Sequence, residues 1–320
     1  LPFDYYVYVE RDTSELKKIM HSRAADVSAA IIAIPDYLHY PYLKLCGEAG
    51  CHSLVVKPFV ETQEQALEIT ELFERERLYG AVEFHKRYDE SNVIARDLIQ
   101  SEKIGLLSSV VVEYSQRLMI PTEVFSEWVG TTNIFQYLGV HYVDQIIFVA
   151  EATPIRVSAV GVKNKLIDGG IDAFDEIIAT VEFLRFGRNS FYVIFRIGWI
   201  DVNSSPAMSR QKVSYYGTEG HIVLDQTNRG VELQKPGVYE QINPYFSRMY
   251  GAKGSDAHFD GYGINSIKSF ITDVSNLRLE KVSLEELSGA RPAFRSSIPS
   301  VKVTEAVNKS LERNGSWISI

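Results

Sequence analysis

The sequence is poor in cysteine, with only Cys46 and Cys51 among its 320 residues. A disulfide framework needs several cysteine pairs, and a structural zinc site needs four cysteine or histidine ligands at characteristic spacings. Two cysteines with no second pair and no spaced histidines meet neither requirement. We therefore expect both thiols to be spectators, in a protein of the reducing cytoplasm.

Long apolar runs are also missing. The longest ones, at residues 29–35 and 146–150, are far shorter than the ~20 residues of a membrane-spanning helix. The first residues contain neither an initiator Met nor the basic and apolar stretches of an export signal. We expect no membrane partner, no export, and a sequence that starts inside a longer chain.

Positive charge of the kind that binds nucleic acid is absent as well. The net charge is −8, and the lysines and arginines are scattered along the sequence instead of forming a stripe. A basic surface is the electrostatic requirement for binding the phosphate backbone. Nucleic acid is therefore excluded as an expected partner.

The first third of the sequence alternates apolar runs with amphipathic stretches. Residues 27–34 and 52–56 are mainly apolar, and a proline stands within two residues of the end of each, which is typical of strands buried on both faces. Residues 40–49 and 62–78 have helical spacing, and a third strand is predicted at 80–84. This alternation predicts a doubly wound parallel α/β sheet, in which ligands bind beyond the carboxyl ends of the strands.

The second part of the sequence consists of long segments rich in β-branched and aromatic residues. Several alternate polar with apolar residues, as antiparallel strands do. Helical spacing returns at residues 133–149, 264–273 and 302–313, enough to cover one sheet face. We predict an N-terminally incomplete α/β domain at 1–105 and a mostly antiparallel α+β domain at 106–320. We expect the C-terminal helix to pack back on the first domain, and the open sheet face to pair copies into a homodimer or homotetramer.

Eight segments follow one another in an order and spacing that a known family shares. They are Ile31-Ile-Ala-Ile-Pro-Asp-Tyr-Leu-His39, Cys46-Gly-Glu-Ala-Gly50, Leu54-Val-Val-Lys-Pro58, Thr62-Gln-Glu-Gln-Ala66, Phe84-His-Lys-Arg-Tyr88, Leu138-Gly-Val-His-Tyr-Val-Asp144, Tyr216-Gly-Thr-Glu-Gly220 and residues 305–310. Together they resemble the glucose-fructose oxidoreductase and inositol dehydrogenase (Gfo/Idh/MocA) family over nearly the whole chain. The resemblance implies a Rossmann-type domain that binds NAD or NADP, and hydride transfer at an alcohol or ketone carbon.

The sequence departs from this family in two places. The first strand and the glycine-rich phosphate turn are absent, so at least two strand–helix units, roughly 60 residues, are expected upstream. Glu10 ends a predicted strand like a ribose-binding carboxylate, but its helix leads too soon into the next strand. The family's Glu-Lys-Pro signature is here Val56-Lys57-Pro58, which keeps the lysine and loses its acidic neighbour.

Lys57 is the first candidate for the chemistry. Removing a hydride from a carbinol carbon leaves a proton on oxygen, so the site needs a proton acceptor and a group that stabilises the developing oxyanion. Lys57 follows a predicted strand at the carboxyl edge, where the nicotinamide is expected, and burial there lowers a lysine pKa. We expect Lys57 to orient the reacting oxygen. The alternative is a surface lysine before a turn proline.

His141 and Tyr137 are the second pair of candidates. Helix positions four apart share a face, which predicts that both side chains enter one pocket. In the resembled family an aspartate that pairs with the histidine often stands at position 137. A phenol can donate to a carbonyl oxygen and relay a proton, but it cannot hold an imidazolium by charge. The alternatives are a core histidine beside Tyr142 and a core aromatic, and Asp144 is expected to be structural.

Further contacts are implied by the resemblance and by position after predicted strands. The cofactor set is Ile34, Pro35, Asp36, His39, Lys57, Pro58 and Arg87. The substrate set is Lys57, Tyr88, Arg117, Trp128, Tyr137 and His141. In the alternatives, Asp36 is a helix N-cap, and Arg87 pairs on the surface with Asp89 or Glu90.

No metal is expected at the one spacing that resembles a metal site. Asp256, His258 and Asp260 alternate like ligands, but the glycines at 254, 261 and 263 favour a loop. The combined prediction is a nicotinamide-dependent oxidoreductase acting on a sugar, nucleotide-sugar or polyol. The loss of carboxylates at positions 56 and 137 keeps a catalytically silent sensor of the same fold as the alternative.

Overall fold

The computed structural model describes residues 14–22, 29–185, 187–251 and 257–320. The predictions for Glu10, Gly254 and Asp256 lie outside the described residues. The helices are α1 (Ser14–Ser22), α2 (His39–Glu48), α3 (Gln63–Arg75), α4 (Glu90–Gln100), α5 (Val140–Ala150), α6 (Lys165–Asp168), α7 (Tyr262–Arg278), α8 (Leu284–Ala290) and α9 (Phe294–Glu312). The strands are β1 (Ala29–Ile32), β2 (His52–Val56), β3 (Gly80–Glu83), β4 (Leu107–Arg117), β5 (Ala152–Val162), β6 (Glu176–Arg185), β7 (Ser190–Asp201), β8 (Ser209–Gly217), β9 (His221–Asp225), β10 (Val231–Lys235), β11 (Val238–Ile242), β12 (Arg248–Tyr250), β13 (His258–Asp260) and β14 (Ile318–Ser319).

The chain divides into two compact units. The first holds residues up to 83 together with 269–298, and the second holds 84–268 together with 299–320. The division therefore falls earlier than the predicted boundary at residue 105. The reason is that α4 buries its apolar face, with Ala95 and Ile99, in the core of the second unit.

The first unit is built on a parallel sheet of three described strands in the order β1-β2-β3. Helix α3 begins where the Thr62 side chain accepts a hydrogen bond from the Gln65 N–H, a helix N-cap. It buries one face, with Ala66, Ile69 and Phe73 at helical spacing. This confirms the predicted Rossmann-type arrangement, whose functional edge lies at the carboxyl ends of the strands.

Phe294 closes one side of this unit. Its ring stacks on Phe59 at 4.4 Å between centroids and meets the edge of Phe73 at 4.9 Å. Gly80 makes that packing possible, because a Cβ at this position would lie 2.1 Å from the Phe294 ring. A strand residue other than glycine at position 80 would displace the ring and open the core.

The second unit is built on a seven-stranded sheet in the order β14-β5-β6-β7-β4-β8-β9. All neighbours are antiparallel except β4 and β7, which run parallel. Apolar side chains of α4, α5 and α9 cover one face, because their buried residues belong to the same core as the inward residues of the strands. The mostly antiparallel second sheet was predicted and is confirmed.

Within the described ranges, no helix is both long enough and apolar enough to cross a membrane. Cys46 and Cys51 are buried free thiols. Burial raises the pKa of Cys46 to about 12. A buried thiol of this kind is chemically inert, as expected for a spectator.

Candidate functional site

The carboxyl edge of the parallel sheet carries three ionisable side chains. Asp36 follows β1, Lys57 follows β2 directly, and Glu83 is the last residue of β3. The strand register places Val56 opposite Glu83, so the end of β3 lies beside the start of the Lys57 loop. The structure thus puts Lys57 at the edge where the sequence predicted it.

Lys57 is half-buried, and its surroundings change its proton affinity. Burial lowers the pKa of Lys57 to about 8, while the carboxylates of Glu83 and Asp36 oppose that shift. The acidic neighbour missing at position 56 is therefore replaced in electrostatic effect by Glu83 of the adjacent strand. An amine with a pKa near 8 can hold a positive charge and still release a proton near neutral pH.

The His39 side chain lies within hydrogen-bond distance of both loops that follow β1 and β2. It is fully buried, with Nδ1 2.7 Å from the Pro58 carbonyl oxygen and Nε2 3.0 Å from that of Ile34. Burial lowers the pKa of His39, while the carbonyl oxygens of Pro58 and Ile34 oppose that shift. This corrects the predicted cofactor contact, because the side chain has no exposed surface and supports the edge from within.

Asp36 is buried, and its Oδ1 accepts a hydrogen bond from the Tyr37 N–H at 3.0 Å. It begins a short 3₁₀ turn, Asp36–Leu38, and α2 begins after it with Leu38 as the N-cap residue. The alternative of an N-cap for α2 is therefore wrong, and the carboxylate acts on Lys57.

This edge fits the nicotinamide end of a dinucleotide. Ligands of open parallel sheets bind beyond the carboxyl ends of the strands. Ile34, Pro35 and Pro58 line the loops there, His39 fixes the spacing of those loops, and Lys57 places an amine among carboxylates. The fit concerns this end of the cofactor, since the described residues include no glycine-rich phosphate turn.

His141 lies in the second unit, in the first turn of α5, and is buried. Its ring is 4.7 Å from that of His85 and 6.4 Å from that of Tyr114, between centroids. His85 in turn stacks on Tyr262 at 5.7 Å and meets the edge of Phe246 at 5.5 Å. The result is a cluster of imidazole and phenol rings that can donate to and accept from hydroxyl groups.

Tyr137 belongs to a neighbouring aromatic group. Its ring packs against Phe125 at 4.9 Å, Trp128 at 6.2 Å and Trp199 at 6.3 Å. Burial raises the pKa of Tyr137 to about 12, and a hydrogen bond with Gln116 opposes the rise. At neutral pH the phenol is therefore a donor and not a base.

Tyr137 and His141 have different ring neighbours in the structure. Tyr137 lies in a π-helical turn, Phe135–Gly139, that precedes α5. Tyr114 links the two, because its ring is near His141 and its pKa is raised by burial and also by Tyr137. Tyr114 therefore lies near both residues, and the shared pocket stays a prediction.

Arg87 forms a buried two-point ion pair with Asp144. Its Nε and Nη2 donate to the two carboxylate oxygens at 2.8 Å and 2.6 Å. Asp89 instead accepts a hydrogen bond from Arg229, so the predicted surface ion pair between Arg87 and Asp89 is wrong. The bidentate bond favours a structural role for Arg87 over the predicted cofactor contact, and it confirms the structural role of Asp144.

Lys86 is a buried cation that the sequence did not single out. Its Nζ donates to Gln211 at 2.5 Å and to Gln226 at 3.3 Å, and it lies over the rings of Tyr114 and Tyr142 at 5.4 and 4.7 Å. Burial lowers the pKa of Lys86 to about 7, and Asp89 opposes that shift. Lys86 therefore lies against Tyr114 of the ring cluster around His141, and its amine is only partly charged at neutral pH.

Three further residues were predicted to contact the substrate, namely Trp128, Arg117 and Tyr88. Trp128 packs on Phe125 at 4.5 Å beside Tyr137, where a substrate-shaping loop was expected. Arg117 ends β4, and its Nη2 donates to the Ser205 carbonyl oxygen at 2.5 Å. Tyr88 closes the 3₁₀ turn His85–Tyr88 and acts electrostatically on Arg87.

Among the described residues, no group of three histidine, cysteine or acidic side chains is arranged to hold a metal ion. His258 stacks on Tyr250 at 5.8 Å, and the pKa of the half-buried Asp260 is lowered by a hydrogen bond from the Gly261 backbone. Both therefore have local structural partners.

The sequence analysis assigned no role to Glu83, His85 or Tyr262. A signal existed for the first two, because residues at the end of a predicted parallel strand were themselves the expected site. Tyr262 carried no such signal, since it approaches His85 only through the tertiary fold.

Two family models match the chain. The model of an oxidoreductase family with an NAD-binding Rossmann fold matches residues 5–84, and the model of the GFO/IDH/MocA C-terminal domain matches residues 93–223. The uncharacterized oxidoreductase YhhX of Escherichia coli is 31% identical over 135 residues, 42% of this chain and 38% of that protein. The scyllo-inositol 2-dehydrogenase (NADP(+)) IolW of Bacillus subtilis is 26% identical over 135 residues, 41% of this chain and 36% of that protein. The matches thus span well under half the length of these relatives.

Solved structures agree on the fold. An inositol dehydrogenase homolog from Azotobacter vinelandii, complexed with NADH and myo-inositol, matches with a TM-score of 0.71 and 16% identity over 97% of this chain and 82% of that chain. The scyllo-inositol dehydrogenase of Lactobacillus casei, with bound NAD(H) and scyllo-inositol, matches with a TM-score of 0.70 and 14% identity over 94% of this chain and 83% of that chain. At 14–16% identity the structural similarity establishes the fold. The two family models together match more than half of the chain, so the chain belongs to the Gfo/Idh/MocA oxidoreductase family.

Proposed function

We propose that the protein transfers a hydride between NAD or NADP and a CH–OH or ketone carbon of a polyol or sugar. The observation that carries the proposal is Lys57, half-buried at the carboxyl edge with a pKa lowered by burial to about 8. An amine placed and tuned in this way can stabilise an oxyanion that develops on the substrate.

The chain's own residues would perform the proton chemistry, while the bound nicotinamide supplies or accepts the hydride. Lys57 orients the reacting oxygen and stabilises its negative charge. His141 exchanges the hydroxyl proton, since an imidazole titrates in the neutral range. Tyr137 keeps its proton and assists as a hydrogen-bond donor. Ile34, Pro35, Asp36 and Pro58 would contact the nicotinamide end of the cofactor.

An uncharged polyhydroxy substrate suits the ring cluster of the second unit better than a phosphorylated one. Arg87 and Arg229, which could hold a phosphate, are each engaged by a buried carboxylate. His85, His141, Tyr114 and Tyr262 offer hydrogen bonds to hydroxyl groups. The polyols named for the inositol dehydrogenase relatives belong to this class, and Tyr88, Arg117 and Trp128 would shape the substrate's surroundings.

The test is a binding and turnover measurement on the purified protein. We expect NAD(H) or NADP(H) to bind in a fluorescence titration, and reduced nicotinamide to form or disappear with at least one inositol isomer or sugar. Binding without turnover across a broad panel would instead support a silent sensor. Absence of dinucleotide binding would contradict both functions.

We also propose that a second copy of the chain covers the outer face of the seven-stranded sheet. Ile178, Tyr192 and Ile194 are exposed on that face by 40, 39 and 42%. They occupy neighbouring central strands, β6 and β7. Apolar groups in such a position are typical of an interface.

Ile194→Lys is therefore expected to convert a dimer or tetramer into smaller species, measured by light scattering. Ile271→Lys, at a residue of α7 that is 56% exposed, is the matched control and should leave the mass unchanged. A monomeric wild-type protein would contradict the proposal. The expected cytoplasmic location stays a prediction.

A further inference from the structure

His141 has a second imidazole beside it. The His85 and His141 rings are 4.7 Å apart between centroids and tilted by 58°. His85 is held in that position from its other sides by Tyr262, stacked at 5.7 Å, and by the edge of Phe246 at 5.5 Å. All four residues belong to the second unit.

The backbone that carries His85 is fixed by the two residues that follow it. Lys86 is buried and donates to Gln211 at 2.5 Å, and Arg87 is bound at two points to Asp144. These residues and His85 form one 3₁₀ turn. Because both successors are anchored, the turn presents His85 toward His141 in one orientation.

Two basic side chains lie against the rings that neighbour the two imidazoles. Lys86 Nζ lies 5.4 Å from the Tyr114 ring centroid, on the ring that is next to His141. Arg229 is paired with Asp89 and lies 5.9 Å from the centroid of Tyr262, on which His85 stacks.

Tyr114, whose ring also lies near that of His141, is a protonated phenol and cannot take up a further proton. Burial raises the pKa of Tyr114 far above the usual phenol range. An imidazole is the side chain that titrates near neutral pH without such a perturbation. His85 is half-buried and is thus closer to solvent than His141, which is buried.

We propose that His85 is the proton-relay partner of His141, a positioning residue that acts on the substrate through it. The inference rests on the proposed function. In alcohol oxidation, the C–H bond breaks and its hydride leaves to the oxidised nicotinamide. The O–H bond breaks and its proton goes to His141, from which it passes to His85 and then to solvent. In ketone reduction both transfers run in reverse.

The first arm of the test needs no turnover. Histidine ring signals are followed by NMR across pH in the wild type, in His85→Asn and in His221→Asn, which changes an exposed histidine of β9. Because the two rings are 4.7 Å apart, we expect the His141 ring signals to respond to pH differently in His85→Asn than in the wild type and in His221→Asn. An unchanged His141 titration in His85→Asn would overturn the pairing.

The second arm measures the relay. His85→Asn should lower kcat by about 10²-fold with little change in KM, and His85→Ala should recover activity when imidazole is added. His221→Asn should keep wild-type rates. Melting curves show whether each variant is folded, and His85→Gln replaces His85→Asn if that variant is not. If His85→Asn turns over at the wild-type rate, the relay is overturned but the proposed function is not. If His85→Asn changes the His141 titration but the wild-type protein shows no turnover, the proposed function is overturned, and the relay with it.

Discussion

Replacing Lys57 by methionine is expected to lower kcat by about 10²- to 10⁴-fold, the usual effect of removing a group that assists proton transfer or charge stabilisation. Methionine has a similar length and fills the half-buried position without charge. The measurement is steady-state turnover of the nicotinamide with the best substrate. Lys44→Met is the matched control, since Lys44 is exposed and pairs with Glu68 at 2.7 Å. Equal kcat in Lys57→Met and wild type would remove Lys57 from the mechanism.

The pH profile gives a second check on Lys57. Its pKa is about 8, so the charged amine is present below that pH and lost above it. If the charge stabilises the oxyanion, the rate should fall as the pH rises through about 8. Glu83→Gln removes a carboxylate that raises the pKa of Lys57, so the fall should move to lower pH. A profile that stays in place in Glu83→Gln would show that another group titrates.

Asp144→Asn is expected to lower the free energy of unfolding by about 3–5 kcal/mol, because it leaves the Arg87 guanidinium buried without its counter-charge. The Asp144 side chain is only 2% exposed, and that of Arg87 is 13% exposed. Chemical denaturation of the variant against the wild type measures the loss. Asp172→Asn breaks the exposed pair with Lys163 in the same unit and should cost less than about 1 kcal/mol.

A double variant separates the pair from the packing around it. Arg87→Met combined with Asp144→Leu removes both charges, and it should recover much of the stability that Asp144→Asn loses. A loss below about 1 kcal/mol in Asp144→Asn would contradict a tightly buried pair. It would also leave the Arg87 guanidinium available for the cofactor contact first expected of it.

Local patterns in the sequence were sufficient to predict the elements that carry the site. The strand predicted at residues 52–56 is β2, with the same bounds, because a short apolar run closed by a proline has few other conformations. Lys57 then had to lie at the carboxyl edge of a parallel sheet. The boundary between the units was less predictable, because α4 has the same amphipathic pattern whichever core it covers.

The partners of the site residues were not predictable in this way. His39 bonds to the carbonyl oxygens of Pro58 and Ile34, in the loops after two different strands. Arg87 bonds to Asp144 of α5 instead of its neighbours Asp89 or Glu90. For Arg87, two carboxylates were near in sequence, and packing selected a distant one.

The same distinction applies to the feature on which the proposed function depends. The sequence alone determined that a lysine follows a buried strand and that a histidine lies on the helix of the second unit, because strand and helix periodicity are local properties. Only the tertiary structure decided that the carboxylate of Glu83 acts on Lys57 in place of one at position 56, and that the His85 ring lies 4.7 Å from that of His141. Those pairings depend on sheet register and on how helices pack across a core, which no local pattern encodes.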